Sequence, residues 1–151
     1  EEFKRHQFHF VTRKFSGECG SNVVVHRNLD ANSDALMDLY RISDVFVLPT
    51  RSDFAPTNSI CEAMAMGLPV ISTNVGGLDE IVLHEKNGFI VPRDDAEALA
   101  RCLKRLGSDE KLRLRLGKNA RAMAEERFDL ENNAKRIVDY MKEAVRMRKS
   151  R

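Results

Sequence analysis

No run of apolar residues in this 151-residue chain approaches the roughly 20 that a membrane-crossing helix needs. Glu1-Glu2-Phe3-Lys4-Arg5 offers no hydrophobic leader, so neither a membrane span nor secretion is expected. Cysteine is scarce. Cys19, Cys61 and Cys102 are odd in number, widely spaced and without a neighbouring Cys or a paired His, which argues against a disulfide framework and against a zinc site. A reducing, cytoplasmic setting is the expectation. An excess of one charge is also missing: 25 Lys plus Arg against 23 Asp plus Glu leave +2. That is no footprint for nucleic acid, and no such partner is expected. Gly-x-x-x-x-Gly-Lys-Ser/Thr does not occur, so any phosphate must be held without that loop. What remains is 42% hydrophobic and 32% charged with 8 Gly and 4 Pro, the make-up of a globular chain with one core.

Periodicity then sets the order of elements. Gln7 to Arg13 alternates and Asn22 to His26 holds Val23-Val24-Val25, which predicts two strands around the loop Ser16 to Ser21. Asn32 or Ser33 can cap a short helix with Leu36, Leu39, Tyr40 and Ile42 at helical spacing, followed by the apolar strand Val45-Phe46-Val47-Leu48, which Pro49 ends. A second helix is predicted from Ile60 to Met66, closed by Gly67, and then a strand from Pro69 to Ser72. Gly76-Gly77 should open a short helix reaching Leu83, with His84 at its end, before the strand Phe89-Ile90-Val91. Everything after Asp94 reads as helix: Asp94 to Leu106, a second from Ser108, and a charged one from Leu130 to about Arg148. Strands alternating with helices, several of them apolar throughout, predict an α/β fold with a doubly wound parallel sheet and a helical C-terminus. Ligands of such folds sit at strand carboxyl ends, here the loops Arg27 to Asn32, Pro49 to Asn58 and Thr73 to Leu78.

The loop after Leu48 runs straight into a helix N-terminus. Free amides and the helix dipole there suit an anion, so Thr57, Asn58, Ser59 and Ile60 are candidates to hold a diphosphate. Gly76-Gly77 offers either a second close backbone approach or simply a tight turn. Glu62 stands about one turn into the same helix among Ala63, Met64 and Ala65. Two roles are open to it. With Ser59 as N-cap, Ser59-Ile60-Cys61-Glu62 is a capping box; with Thr57 or Asn58 as N-cap, its carboxylate is free to accept two hydrogen bonds from vicinal hydroxyls of a ribose. Cys61 reads as a structural thiol without a histidine partner, and the six methionines as core filling.

Pro49-Thr50 followed by Glu62-Ala63-Met64-Ala65-Met66-Gly67-Leu68-Pro69-Val70-Ile71-Ser72-Thr73-Asn74-Val75-Gly76-Gly77 and Leu78 to Val82 resembles the nucleotide-sugar-binding domain of family 4 retaining glycosyltransferases, enzymes of the GT-B fold. Leu39 to Pro49 and Asn87 to Pro92 resemble the flanking signatures, and the likeness runs from about Phe8 to Phe128. It implies a Rossmann-like donor half of a GT-B enzyme. Glu62 would bind the ribose, and Arg27, beside His26, would lie near the nucleobase. The donor would be a UDP- or GDP-sugar, with no cofactor and no divalent metal.

Two departures accompany the likeness. The family carries a first glutamate, for the donor sugar, eight residues before the second; here that position is Phe54, and Asp53, nine residues before Glu62, is the nearest acid to take the role. The chain also begins at what resembles the family's second strand, without the preceding Arg and Lys that neutralise the diphosphate and without the N-terminal acceptor domain. The resemblance therefore implies a fragment, inactive alone, of an enzyme that moves a sugar to a glycan, lipid or small molecule. The alternative is a non-catalytic module derived from the fold. Arg146, Arg148, Lys149 and Arg151 could touch acidic lipid at the inner membrane face, or form a solvated helix end.

Overall fold

A computed structural model describes residues 3–31 and 33–149. Among the described residues there are five strands and five α-helices: the first two strands follow one another directly, two helices alternate with the next strands, and after the last strand only helices remain. β1 (Phe8–Thr12) and β2 (Val23–Arg27) pair in parallel, from Phe8 opposite Val23 to Thr12 opposite Arg27. β3 (Phe46–Leu48), β4 (Val70–Thr73) and β5 (Gly88–Val91) form a second parallel sheet with β4 in the middle. The α/β class, the parallel strands and the helical C-terminus are as the alternation predicts. The strands form a pair and a trio, and among the described residues no ladder joins β1 to β3.

β4 explains how the trio is covered. Successive side chains of a strand point to opposite faces, and Val70 and Ile71, both fully buried, fall in different clusters. Val70 packs with Tyr40, Ile60, Met64, Val82 and Ala120; these belong largely to α1 (Asp34–Ile42), α2 (Asn58–Ala65) and the later turns of α4 (Glu110–Phe128). Ile71 packs with Phe89, Ala98, Leu106, Leu112 and Leu116, from β5, α3 (Ala96–Ser108) and the start of α4. Helices thus cover both faces of this sheet, as a doubly wound layering requires. Neither cluster takes a residue from β1 or β2.

Helix starts follow capping chemistry. Ser33, Asp95 and Asp109 accept from the amides of Leu36, Ala98 and Leu112 at 3.3, 2.8 and 2.9 Å. Ser33 is thus the cap of α1; Asn32 lies outside the described residues, as does Arg151. The end of α2 is closed by Gly67 at φ 77, whose amide reaches the Met64 carbonyl, while Arg121 of α4 donates to the carbonyl of Ala65. The last helix, α5 (Leu130–Lys149), leaves Leu130, Ile137, Val138, Met141 and Val145 exposed.

One predicted element is shorter than the sequence suggests. The helix expected to reach Leu83 is a single 3₁₀ turn, Leu78–Glu80. Buried Asn87 is the cause: its amide donates to the Ile81 carbonyl at 2.9 Å and its carbonyl accepts from Leu83 at 2.7 Å, drawing the backbone out of helical register. His84 therefore sits not on a helix end but in a bridge to Gly88, with Nδ1 against the backbone of Ile90.

Candidate functional site

The strand ends of the trio converge through side chains that look unsuited to a buried strand. Ser72 and Thr73, both buried, donate to the carbonyls of Leu48 and Thr50 at 3.0 and 2.5 Å. Each hydroxyl finds its acceptor on the neighbouring strand or on the loop that follows it, so neither buried polar group that ends β4 is left unsatisfied. They also fix the start of the Pro49–Thr57 loop. Farther along, the Ala55 amide donates to the Gly76 carbonyl at 2.9 Å. Gly76, at φ 57, faces the Asp53 backbone so closely that a Cβ there would overlap the Asp53 carbonyl oxygen. The space beside Gly76 is thus filled by the protein's own loop, which accounts for the glycine as a close packing of two loops.

That loop delivers the chain to α2. Thr57 is the N-cap: in extended conformation, it accepts at Oγ1 from the Ile60 amide at 3.4 Å and at its carbonyl from Cys61 at 3.1 Å. Ser59 lies inside the helix, and the capping box with Glu62 does not form. Among the described residues the amides of Asn58 and Ser59 have no hydrogen-bond acceptor, and the first turn carries no acidic side chain. Two donors and an uncompensated dipole therefore face outward, an arrangement that attracts an anion. Ile60 does not join them as the sequence suggests. Its amide is committed to the cap and its side chain is fully buried.

Glu62 follows as the fifth residue of α2. Its Oε2 accepts from the Tyr40 hydroxyl at 2.9 Å, whereas Oε1 has no hydrogen bond among the described residues. Tyr40, only 6% exposed, lies in the core against Phe46 with ring centroids 5.9 Å apart. Burial, then the hydrogen bond to Glu62 and its negative charge, raise the Tyr40 phenol well above its ordinary range. The phenol is a donor throughout, so the carboxylate is free to accept. Nothing in the sequence singled out Tyr40. The available signal was a hydroxyl inside an apolar stripe, which needs a partner when buried.

The other predicted residues are placed as follows. Asp53 is half-buried and accepts at Oδ1 from the Phe54 amide at 2.9 Å; Phe54 is 79% exposed. Arg51 pairs with Asp94 at 2.5 Å. Arg27 is exposed at the end of β2, and no hydrogen bond or ion pair joins it to α2 among the described residues. Its neighbour His26 faces His9, Nε2 to Nδ1 at 2.9 Å, the rings stacked. Burial, reinforced by the Glu62 charge, pushes the Cys61 thiol up, which keeps it protonated and a poor nucleophile. Among the described residues no three His, Cys, Asp or Glu side chains cluster as metal ligands would.

The family model described as "Glycosyl transferases group 1" matches residues 12–123. The chain belongs to this glycosyltransferase family. A glycosyltransferase of Methanocaldococcus jannaschii is 38% identical over 117 residues, 77% of this chain and 30% of that protein. Among solved structures, sucrose-phosphate synthase of Thermosynechococcus elongatus superposes with a TM-score of 0.73 at 31% identity, covering 85% of this chain and 31% of the synthase. Anabaena HepE in complex with UDP-glucose gives 0.69 at 26%, covering 82% and 33%. The chain thus spans about a third of the length of these relatives. The matched segment contains β3, the loop to Thr57, α2 and the Gly76 turn, the parts that build the site.

Proposed function

We propose that these residues form the donor-binding half of a retaining, family 4 glycosyltransferase that takes a hexosyl group from a UDP- or GDP-sugar. The observation that carries the reading is one helix, α2, presenting two unpaired amides at Asn58 and Ser59 and, one turn on, the unshared Oε1 of Glu62. In this reading the amides receive the diphosphate and Glu62 receives the two ribose hydroxyls. Charge that builds on the leaving phosphate meets donors already in place, the electrostatic form of catalysis that needs least reorganisation. Attack by the acceptor on the face the phosphate leaves, with its proton passing to a phosphate oxygen, asks for no protein nucleophile and no divalent metal. Asp53, within the loop that leads into α2, takes the donor-sugar hydroxyls in this reading. HepE was solved with UDP-glucose, which makes UDP the first nucleotide to test.

The acceptor domain and the cations for the diphosphate belong, in this reading, to residues outside these 151. So does one strand. In the doubly wound order 3-2-1-4-5-6, β2 and β1 take places three and two and β3, β4 and β5 take four to six. The break between β1 and β3 falls at place one. An added strand there would pair with both edges and join the two sheets. Transfer itself is then a property of the longer protein.

The experiment is calorimetric titration of this chain with UDP, GDP and ADP. Saturable binding of one base in preference to the others supports the donor half, and no binding of any of them contradicts it. Phe54, exposed at the place of the family's first glutamate, favours a second reading, a nucleotide-binding module without transferase activity. Donor turnover by the longer gene product decides between the two.

A further inference from the structure

Within the ribose-binding reading of Glu62, on which this inference rests, we propose that Tyr40 is the positioning residue that aims the carboxylate. A glutamate has three rotatable bonds, and at a helix surface its carboxylate would sample many directions. Tyr40 removes that freedom from a different element. Its ring, carried by α1, is held in the hydrophobic core against Phe46, so the hydroxyl stands at a fixed point, 2.9 Å from Oε2. Donation to one oxygen turns the carboxylate plane and leaves Oε1, together with the remaining lone pair of Oε2, as the acceptors for a vicinal diol. A carboxylate already aimed loses less freedom when ligand arrives, and the gain is selective. It belongs only to ligands that present both hydroxyls. Phosphate and base contacts are untouched by it.

Selectivity gives the test. Dissociation constants of UDP and of 2′,3′-dideoxy-UDP are measured for the wild-type chain, Tyr40→Phe and Glu62→Ala, with an amide NMR spectrum to show that each variant keeps the fold. Tyr40→Phe retains the ring and its packing. The wild type is expected to favour UDP and Glu62→Ala to lose that preference. Tyr40→Phe is expected to lose about fivefold of it, the order of one side chain's pre-organisation, through weaker UDP binding while dideoxy-UDP binding is unchanged.

If Tyr40→Phe weakens both nucleotides equally, its role is structural and the proposal fails. If Glu62→Ala abolishes the preference and Tyr40→Phe keeps it whole, Glu62 is the ribose ligand without help from Tyr40, and again the proposal fails. If Glu62→Ala leaves the preference intact, or neither nucleotide binds the wild type, the ribose reading itself falls and takes the Tyr40 role with it.

Discussion

Gly76 and Asp53 lie so close that a Cβ on the first would overlap the carbonyl oxygen of the second. The two loops that end β3 and β4 are therefore one unit, held by this contact and by the Ala55 amide on the Gly76 carbonyl. Gly76→Ala would push the Asp53 loop outward and also place a side chain at φ 57. A destabilisation of about 1–3 kcal/mol is expected, read as a lower urea midpoint with unchanged slope. Because that loop leads into Thr57, binding of UDP should weaken as well.

Gly117 makes the opposite point to the usual one about helical glycine. At an exposed helix position Gly→Ala gains about 1 kcal/mol. In α4, however, Gly117 is buried against the Gly67 carbonyl, where a Cβ would overlap that oxygen. The steric term, about 1–3 kcal/mol, exceeds the propensity gain. Gly117→Ala should lower the melting temperature, and a rise would contradict the packing described for α2 and α4.

Thr57→Ala removes the oxygen that holds the Ile60 amide. The expected cost is about 1 kcal/mol, and Thr57→Ser, which keeps a hydroxyl, should recover most of it. Chemical denaturation of the three proteins compares them directly.

Tyr40 sets an alkaline limit. Its phenol is raised in the folded chain by burial first and by Glu62 second, while the unfolded phenol titrates at about 10. Above that pH the unfolded state loses a proton that the folded state keeps. The Tyr40 contribution to stability is therefore complete below pH about 10 and declines as pH rises beyond it. Denaturation at a series of alkaline pH values should show a steeper loss in the wild type than in Tyr40→Phe.

Much of the fold was legible because local signals agree with tertiary needs. Val23-Val24-Val25 and Val70-Ile71 are strands in sequence and in structure, and Gly67 ends α2 as its position suggests. Glu62 was legible as an acid out of place, but its two roles could not be separated without knowing whether Thr57 or Ser59 caps the helix. The short 3₁₀ turn at Leu78–Glu80 was not legible. It depends on buried Asn87 reaching back to Ile81 and Leu83, a side-chain tie with no periodicity. Tyr40 was hidden for a similar reason, since its partner lies 22 residues away on another helix. Ile60 illustrates a finer limit: the pattern marks the helix end, while the cap decides which amides stay free.

The most direct measurement is the amide NMR spectrum of the chain titrated with UDP, for the wild type and Glu62→Ala. Saturable shifts centred on Asn58, Ser59 and Glu62, strongly reduced in the variant, are the predicted result. Shifts centred elsewhere, or an identical response from Glu62→Ala, would contradict the assignment of α2 as the nucleotide-binding helix.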